Sequence, residues 1–157
     1  MQMRVSLPMA SRLVSVLMFL FMTFPASADV SGVPKVLAGD TLQLGDIIIR
    51  LEGIKSPPPG QMCENEAGLI YDCGQRARDW LIQAISGKKI ICYGNKVLRG
   101  GLLHALCYRG AQNLNGAVIR AGWAMTQGRS AYRYLRMQET AAGLKIGLHA
   151  GAIINPR

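Results

Sequence analysis

The sequence holds no internal repeat and no low-complexity tract, so nothing in it suggests an array or a flexible linker. No C-x-x-C or H-x-x-x-H spacing occurs, which argues against a zinc site. Histidine is scarce, with only His104 and His149, and no Ser/His/Asp or Cys/His arrangement is legible. The one long apolar run, residues 13–24, is too short to cross a bilayer, which takes about 20 residues. Acidic side chains are also few, 9 against 18 basic ones, for a formal net charge of +9.

What is present begins with that apolar run. Arg4 and Arg12 precede it and the small residues Ala26-Ser27-Ala28 follow, the pattern of a signal peptide over residues 1–28 cleaved before Asp29. The expected location is periplasmic or secreted, without a stable membrane span after cleavage. Residues 29–157 have the size of one ordinary domain. Removing Arg4 and Arg12 from the 18 basic residues leaves 16 against 9 acidic ones, a net +7. Such a balance favours polyanionic partners, nucleic acid or acidic polysaccharide, without choosing between them.

All four cysteines lie in the expected mature chain, and an even count in an exported protein points to disulfides. Three pairings are possible. Cys92 and Cys107 each sit in a β-rich apolar run that could pair as neighbouring antiparallel strands, which favours Cys92–Cys107 and leaves Cys63–Cys73.

Residues 33–37, 41–44 and 47–51 read as three strands joined by tight turns at Gly39-Asp40 and Gly45-Asp46. Pro57-Pro58-Pro59 cannot continue a ladder, so a loop is expected from residue 56 to about 73. Its acidic residues Glu64, Glu66 and Asp72 read as solvated. Apolar residues at helical spacing predict a helix over 74–86, stopped by Gly87. Strands over 88–93 and 102–108 flank a glycine-bearing connection, and helices follow over 113–121 and 130–145, the last weakened by Gly143. The tail from Gly147 reads as irregular. Trp80 and Trp123 fall on apolar patterns and are expected in the core, while His104 and His149 read as packing or surface residues. Five short strands, a helix after the third and helices at the end match an α+β, mainly β fold: a five-stranded Greek-key barrel of the OB type with three helices. An open α+β sheet is the competing architecture.

Several stretches carry a family resemblance: Val36-Leu37-Ala38-Gly39-Asp40-Thr41-Leu42, Ile49-Arg50-Leu51, Gly53-Ile54, Cys107-Tyr108, Asn113-Leu114-Asn115, Ala121-Gly122 and Gly147-Leu148. In that order they resemble the staphylococcal nuclease (thermonuclease) family, in particular its exported four-cysteine branch, over residues 33–151. The resemblance implies a site that cleaves phosphodiesters with calcium held by two aspartates and a carbonyl, a glutamate that activates water, and two arginines on the phosphate. Calcium needs several hard oxygen ligands, a base must reach the attacking water, and arginine forks stabilise growing phosphoryl charge.

By position, Asp40 matches one calcium aspartate, Thr41 the carbonyl donor and Arg50 the first arginine. The rest is degenerate. Lys55 stands where the second calcium ligand belongs, Pro58 at the catalytic glutamate, Ala38 at a turn aspartate and Leu102 at the second arginine. Arg99 falls at a phosphate-contacting lysine. It is the candidate stand-in for the missing arginine, although a shift of three residues turns a strand side chain to the opposite face. The tyrosines that pack on nucleotide would lie near Gly128 and Ser130. Losing a general base removes about 10²- to 10⁴-fold in rate. The expectation is therefore a domain without nuclease activity and without a cofactor, with the Lys55 ammonium balancing Asp40 in place of a metal. It would act as a polyanion-binding or accessory protein; exported relatives include proteins named for exopolysaccharide (succinoglycan) biosynthesis, which is an analogy only. The alternative is an active calcium-dependent nuclease with a rearranged site built on Asp40, Arg50 and Arg99.

Overall fold

A computed structural model describes residues 28–154 of the chain. The predicted export signal lies outside these residues except for Ala28, which pairs with Gly94 at the start of the first strand. Strands β1 (Ala28–Gly32) and β2 (Lys35–Ala38) are interrupted at Val33-Pro34, where Pro34 has no N–H to offer a ladder. Tight turns then lead to β3 (Thr41–Leu44) and β4 (Ile47–Leu51), the second turn using Gly45 at a φ of +57°. The two-residue β5 (Ile54–Lys55) follows.

The expected loop over 56–73 contains a hairpin, β6 (Met62–Asn65) and β7 (Ile70–Asp72). Helix α1 (Cys73–Ile85) comes next, with Asp72 as its N-cap accepting from the Gln75 N–H at 2.7 Å. Its buried stripe Cys73, Ala77, Leu81 and Ile85 recurs every four residues, and Ser86 ends it in the left-handed conformation. Strand β8 (Ile90–Leu98) is longer than expected, running through most of the glycine-bearing connection with a register shift after Gly94. It is followed by β9 (Leu102–Arg109), β10 (Gln112–Asn113) and α2 (Leu114–Arg120). The short β11 (Met125–Thr126) precedes the region expected as one long third helix. That region is broken: a 3₁₀ turn at Arg129–Arg133, a non-helical Tyr134, then α3 (Leu135–Gly143). The tail is ordered rather than irregular, with a second 3₁₀ turn at Gly147–Ala150 leading into β12 (Gly151–Ile153).

The result is an α+β fold, mostly strands, with three α-helices among the described residues and a curled, half-barrel main sheet. Its order is β1-β8-β9-β4-β3-β2, with β10 on β9. The β4–β9 pair is parallel and its register sets Arg50 opposite His104; the other pairs are antiparallel. The two ends of this sheet, β1 and β2, are consecutive in the chain. Two small sheets, β11-β5 and β12-β6-β7, complete the ladders.

Strand alternation sends Leu42, Ile49, Leu51, Leu103 and Ala105 inward against Leu81, Ile85, Val118 and Ile119 of the helices. Full burial of each Leu or Ile contributes about 1.5–3 kcal/mol. Trp80 and Trp123 are half-buried, and Trp123 packs on both this core and a smaller cluster of Cys63, Cys73 and Leu148. Both expected disulfides are present: Cys63–Cys73 ties β6 to the start of α1, and Cys92–Cys107 joins directly opposed residues of β8 and β9. Two such bonds fit an oxidising, non-cytosolic setting. Among the described residues no helix is long and apolar enough to cross a membrane.

Candidate binding cleft

A cleft of about 430 Å³ opens where the ends of β4 and β5 meet the 3₁₀ turn after β11. The turn from β2 into β3 supplies its floor. Gly39 is required there because a Cβ would lie 2.8 Å from Ala77 on α1 and still nearer the Ser56 hydroxyl. That close approach places the Ser56 backbone over Asp40. Asp40 is 5% exposed, with one carboxylate oxygen accepting from the Thr41 hydroxyl at 2.7 Å and the other from the Ser56 N–H at 2.9 Å. Ser56 is itself fixed, donating its hydroxyl to the Trp123 carbonyl at 2.8 Å.

Strand β4 builds one wall. Leu51 points into the core, so Arg50 and Glu52 on either side of it point out, and both line the cleft. The parallel β4–β9 register brings His104 beside Arg50. A buried amide holds these two strands together: Asn115 accepts from the Cys107 N–H and donates to the Glu52 and Ala105 carbonyls, each at 3.0 Å. The opposite wall is the 3₁₀ turn, with Gln127 N–H on the Gly53 carbonyl and the Ser130 hydroxyl donating to Glu52. Gly53 has a φ of +83°, and a Cβ there would sit 2.9 Å from the Tyr134 ring and 3.0 Å from the Ser130 carbonyl. The rim carries Lys55 and Arg129. Behind it Tyr134 is buried, and burial raises its pKa.

Of the residues singled out by sequence, Asp40, Arg50 and Lys55 line this cleft, and Thr41 reaches it through its bond to Asp40. Ala38 is half-buried at the end of β2. Pro58 lies on a separate, mostly apolar groove of about 220 Å³ with Pro57 and Met125. Leu102 starts β9 opposite Ile48, and Arg99 is exposed at the turn between β8 and β9, outside the cleft lining.

The expected Lys55–Asp40 pair does not form. Among the described residues the ion pair is Lys145–Glu66 at 2.6 Å, while Asp40 takes its donors from Thr41 and Ser56. Lys55 is exposed and pairs through its backbone with Met125. The acidic loop is likewise more than solvated, since Glu66 holds Lys145 and Asp72 caps α1. Gly128 and Ser130, the positions expected to lack tyrosine, do line the cleft.

Sequence reasoning missed Glu52, His104 and Arg129. Glu52 was available from the two-residue period after Arg50, whereas His104 needed the parallel pairing, which no local pattern reveals. Among the described residues no group of three or more His, Cys, Asp or Glu side chains is arranged to hold a metal ion. Comparison of the chain with family models and with curated proteins gives no match.

Proposed function

We propose that the chain is a thermonuclease-like domain of the OB type that binds a polyanion through this cleft without hydrolysing it. The strand order supports the fold part of the reading. Starting at β2, the ladder runs β2-β3-β4-β9-β8 with β4 and β9 parallel, and β1, continuous in sequence with β2, covers the far edge of β8. This order is what a five-stranded Greek-key barrel with its first strand shared between both ends would need, and it supports that reading.

The observation that carries the function is the committed state of Asp40 among cations. Both its oxygens already accept protein donors, and Arg50, Lys55 and Arg129 surround the same opening. Calcium takes six to eight oxygen ligands, preferably several carboxylates. Here the cleft offers Asp40 and Glu52, each hydrogen-bonded, with the lysine in the place of a ligand. The donor set does not fit the ion. Three cations on one concave surface instead suit an extended anion, with Arg50 supplying a planar two-pronged donor.

A rearranged phosphodiesterase is the second reading, favoured by Glu52 and His104 standing beside Arg50. Incubating the purified protein with single- and double-stranded DNA and RNA, with calcium or with chelator, separates the two. No cleavage above an Asp40→Ala control is expected. Calcium-dependent cleavage that this substitution abolishes would sink the binding-only reading.

A further inference from the structure

Cys92 and Cys107 are fully buried and directly opposed, so their neighbours in β8 and β9 face outward. Tyr93 and Tyr108 are diagonal neighbours on that outer face, with ring centroids 5.9 Å apart in an edge-on arrangement. Tyr93 is 48% exposed, and Leu106 lies directly opposite it. On the same face of β9, His104 is four residues from Tyr108, a distance of about 13 Å at roughly 3.3 Å per residue. Tyr108 thus continues the face of His104 along β9, with Tyr93 beside it on β8.

The charges along this path are mixed: Arg129 and the buried Asp40 also line the cleft. Arg50 and Lys55 stand in the cleft beside Glu52, and Asp29 of β1 is exposed and pairs with Tyr93. A phosphate chain, with a negative charge on every unit and few hydroxyl donors, would offer Glu52 and Asp29 no hydrogen to accept. A sugar chain carrying carboxylates at intervals meets them differently: its hydroxyls donate to Glu52 and Asp29, its carboxylates take the Arg50 fork, and the C–H face of a ring lies on the negative face of a tyrosine.

We infer that the outer face of β8 and β9 is a stacking subsite for an acidic, hydroxyl-rich oligosaccharide, with Tyr93 holding a sugar ring while Arg50 in the adjoining cleft holds a carboxylate. This rests on the polyanion-binding reading and adds to it a ligand class and a second surface. OB barrels provide general precedent for oligosaccharide binding, though on a different pair of strands.

The test uses calorimetric titration of the purified protein with a galacturonate hexamer, its methyl ester and an oligothymidylate. The hexamer is expected to bind more tightly than either of the others. Tyr93→Ala and Tyr93→Leu, the second keeping apolar cover over Leu106, each weaken the hexamer by about 3- to 10-fold, leave its salt dependence unchanged, and are offset by Tyr93→Phe. Arg50→Ala weakens binding and flattens the salt dependence. If Arg50→Ala weakens the hexamer and both Tyr93 variants bind like the parent, the stacking subsite is wrong and the polyanion reading stands. Tighter binding of oligothymidylate overturns the ligand class in the same way, and failure of every polyanion to bind removes both proposals.

Discussion

Asn115 is the residue on which the site's geometry most depends, and Asn115→Ala tests that dependence. Its side chain is fully buried and makes three hydrogen bonds of 3.0 Å, joining the end of β4 to β9. The Ala105 carbonyl keeps another partner, the Glu52 N–H at 2.9 Å. The Cys107 N–H and the Glu52 carbonyl lose theirs. An unsatisfied buried group costs about 1–3 kcal/mol, and the Glu52 carbonyl, in a half-buried residue, regains part of its loss from water. A total of about 2–4 kcal/mol follows, a large share of the roughly 5–15 kcal/mol that stabilises a domain. Urea unfolding in non-reducing buffer should show a lower midpoint at unchanged slope.

A companion variant checks the cause. Asn115→Asp keeps an acceptor for the Cys107 N–H but replaces the donor facing two carbonyls with an oxygen. Burial and those carbonyls place its folded pKa above the unfolded value of about 3.9. Its stability is therefore nearest the parent's at acid pH and falls away as pH rises through the folded pKa. A loss below about 0.5 kcal/mol for Asn115→Ala, or an Asn115→Asp deficit that does not grow with pH, would refute the amide's role.

Three other outcomes are expected. Gly53→Ala combines a left-handed φ of +83° with contacts of 2.9 and 3.0 Å at Tyr134 and Ser130, and should cost about 1–3 kcal/mol by thermal unfolding. His149 has its pKa lowered by burial from the ordinary 6.5, and its Nε2 is buried without a partner. The unfolded chain therefore takes the proton first, so this contribution is intact above about pH 6.5 and is lost as pH falls through the folded pKa, and His149→Gln should flatten unfolding midpoints measured across that window. Removing Cys92–Cys107 as the double serine variant opens a loop with a sequence separation of 15 and should cost about 3 kcal/mol in denaturant midpoints.

Strands with clear alternation were legible in the sequence: β3 and β4 match their expected bounds, and the opposed Cys92 and Cys107 follow from two apolar runs pairing side by side. β1 was not legible, because its first residue also completes the small-residue pattern before Asp29. The hairpin β6–β7 and the returning β12 are three or four residues each, too short to show a period, and are held by a disulfide and ladder bonds rather than by propensity. The break at Tyr134 was hidden as well, since a buried tyrosine sits well on a helical stripe and its spacing gives no sign of a break. At the site, Asp40 and Arg50 were found from local motifs. The Lys55 expectation failed: no Lys55–Asp40 ion pair forms, and the donors on Asp40 come from Thr41 and Ser56.

The gap at Val33-Pro34 gives the sheet an unusual vulnerability. One short, exposed joint connects the strand that shields β8 to the strand that begins the opposite end of the ladder. A protease cutting there would leave the shielding segment held by its pairing with β8 and the packing of Val30 on the core. Its departure would bare a line of unpaired amides and carbonyls on β8, and another molecule's detached segment could then take its place, making a nicked preparation prone to strand exchange.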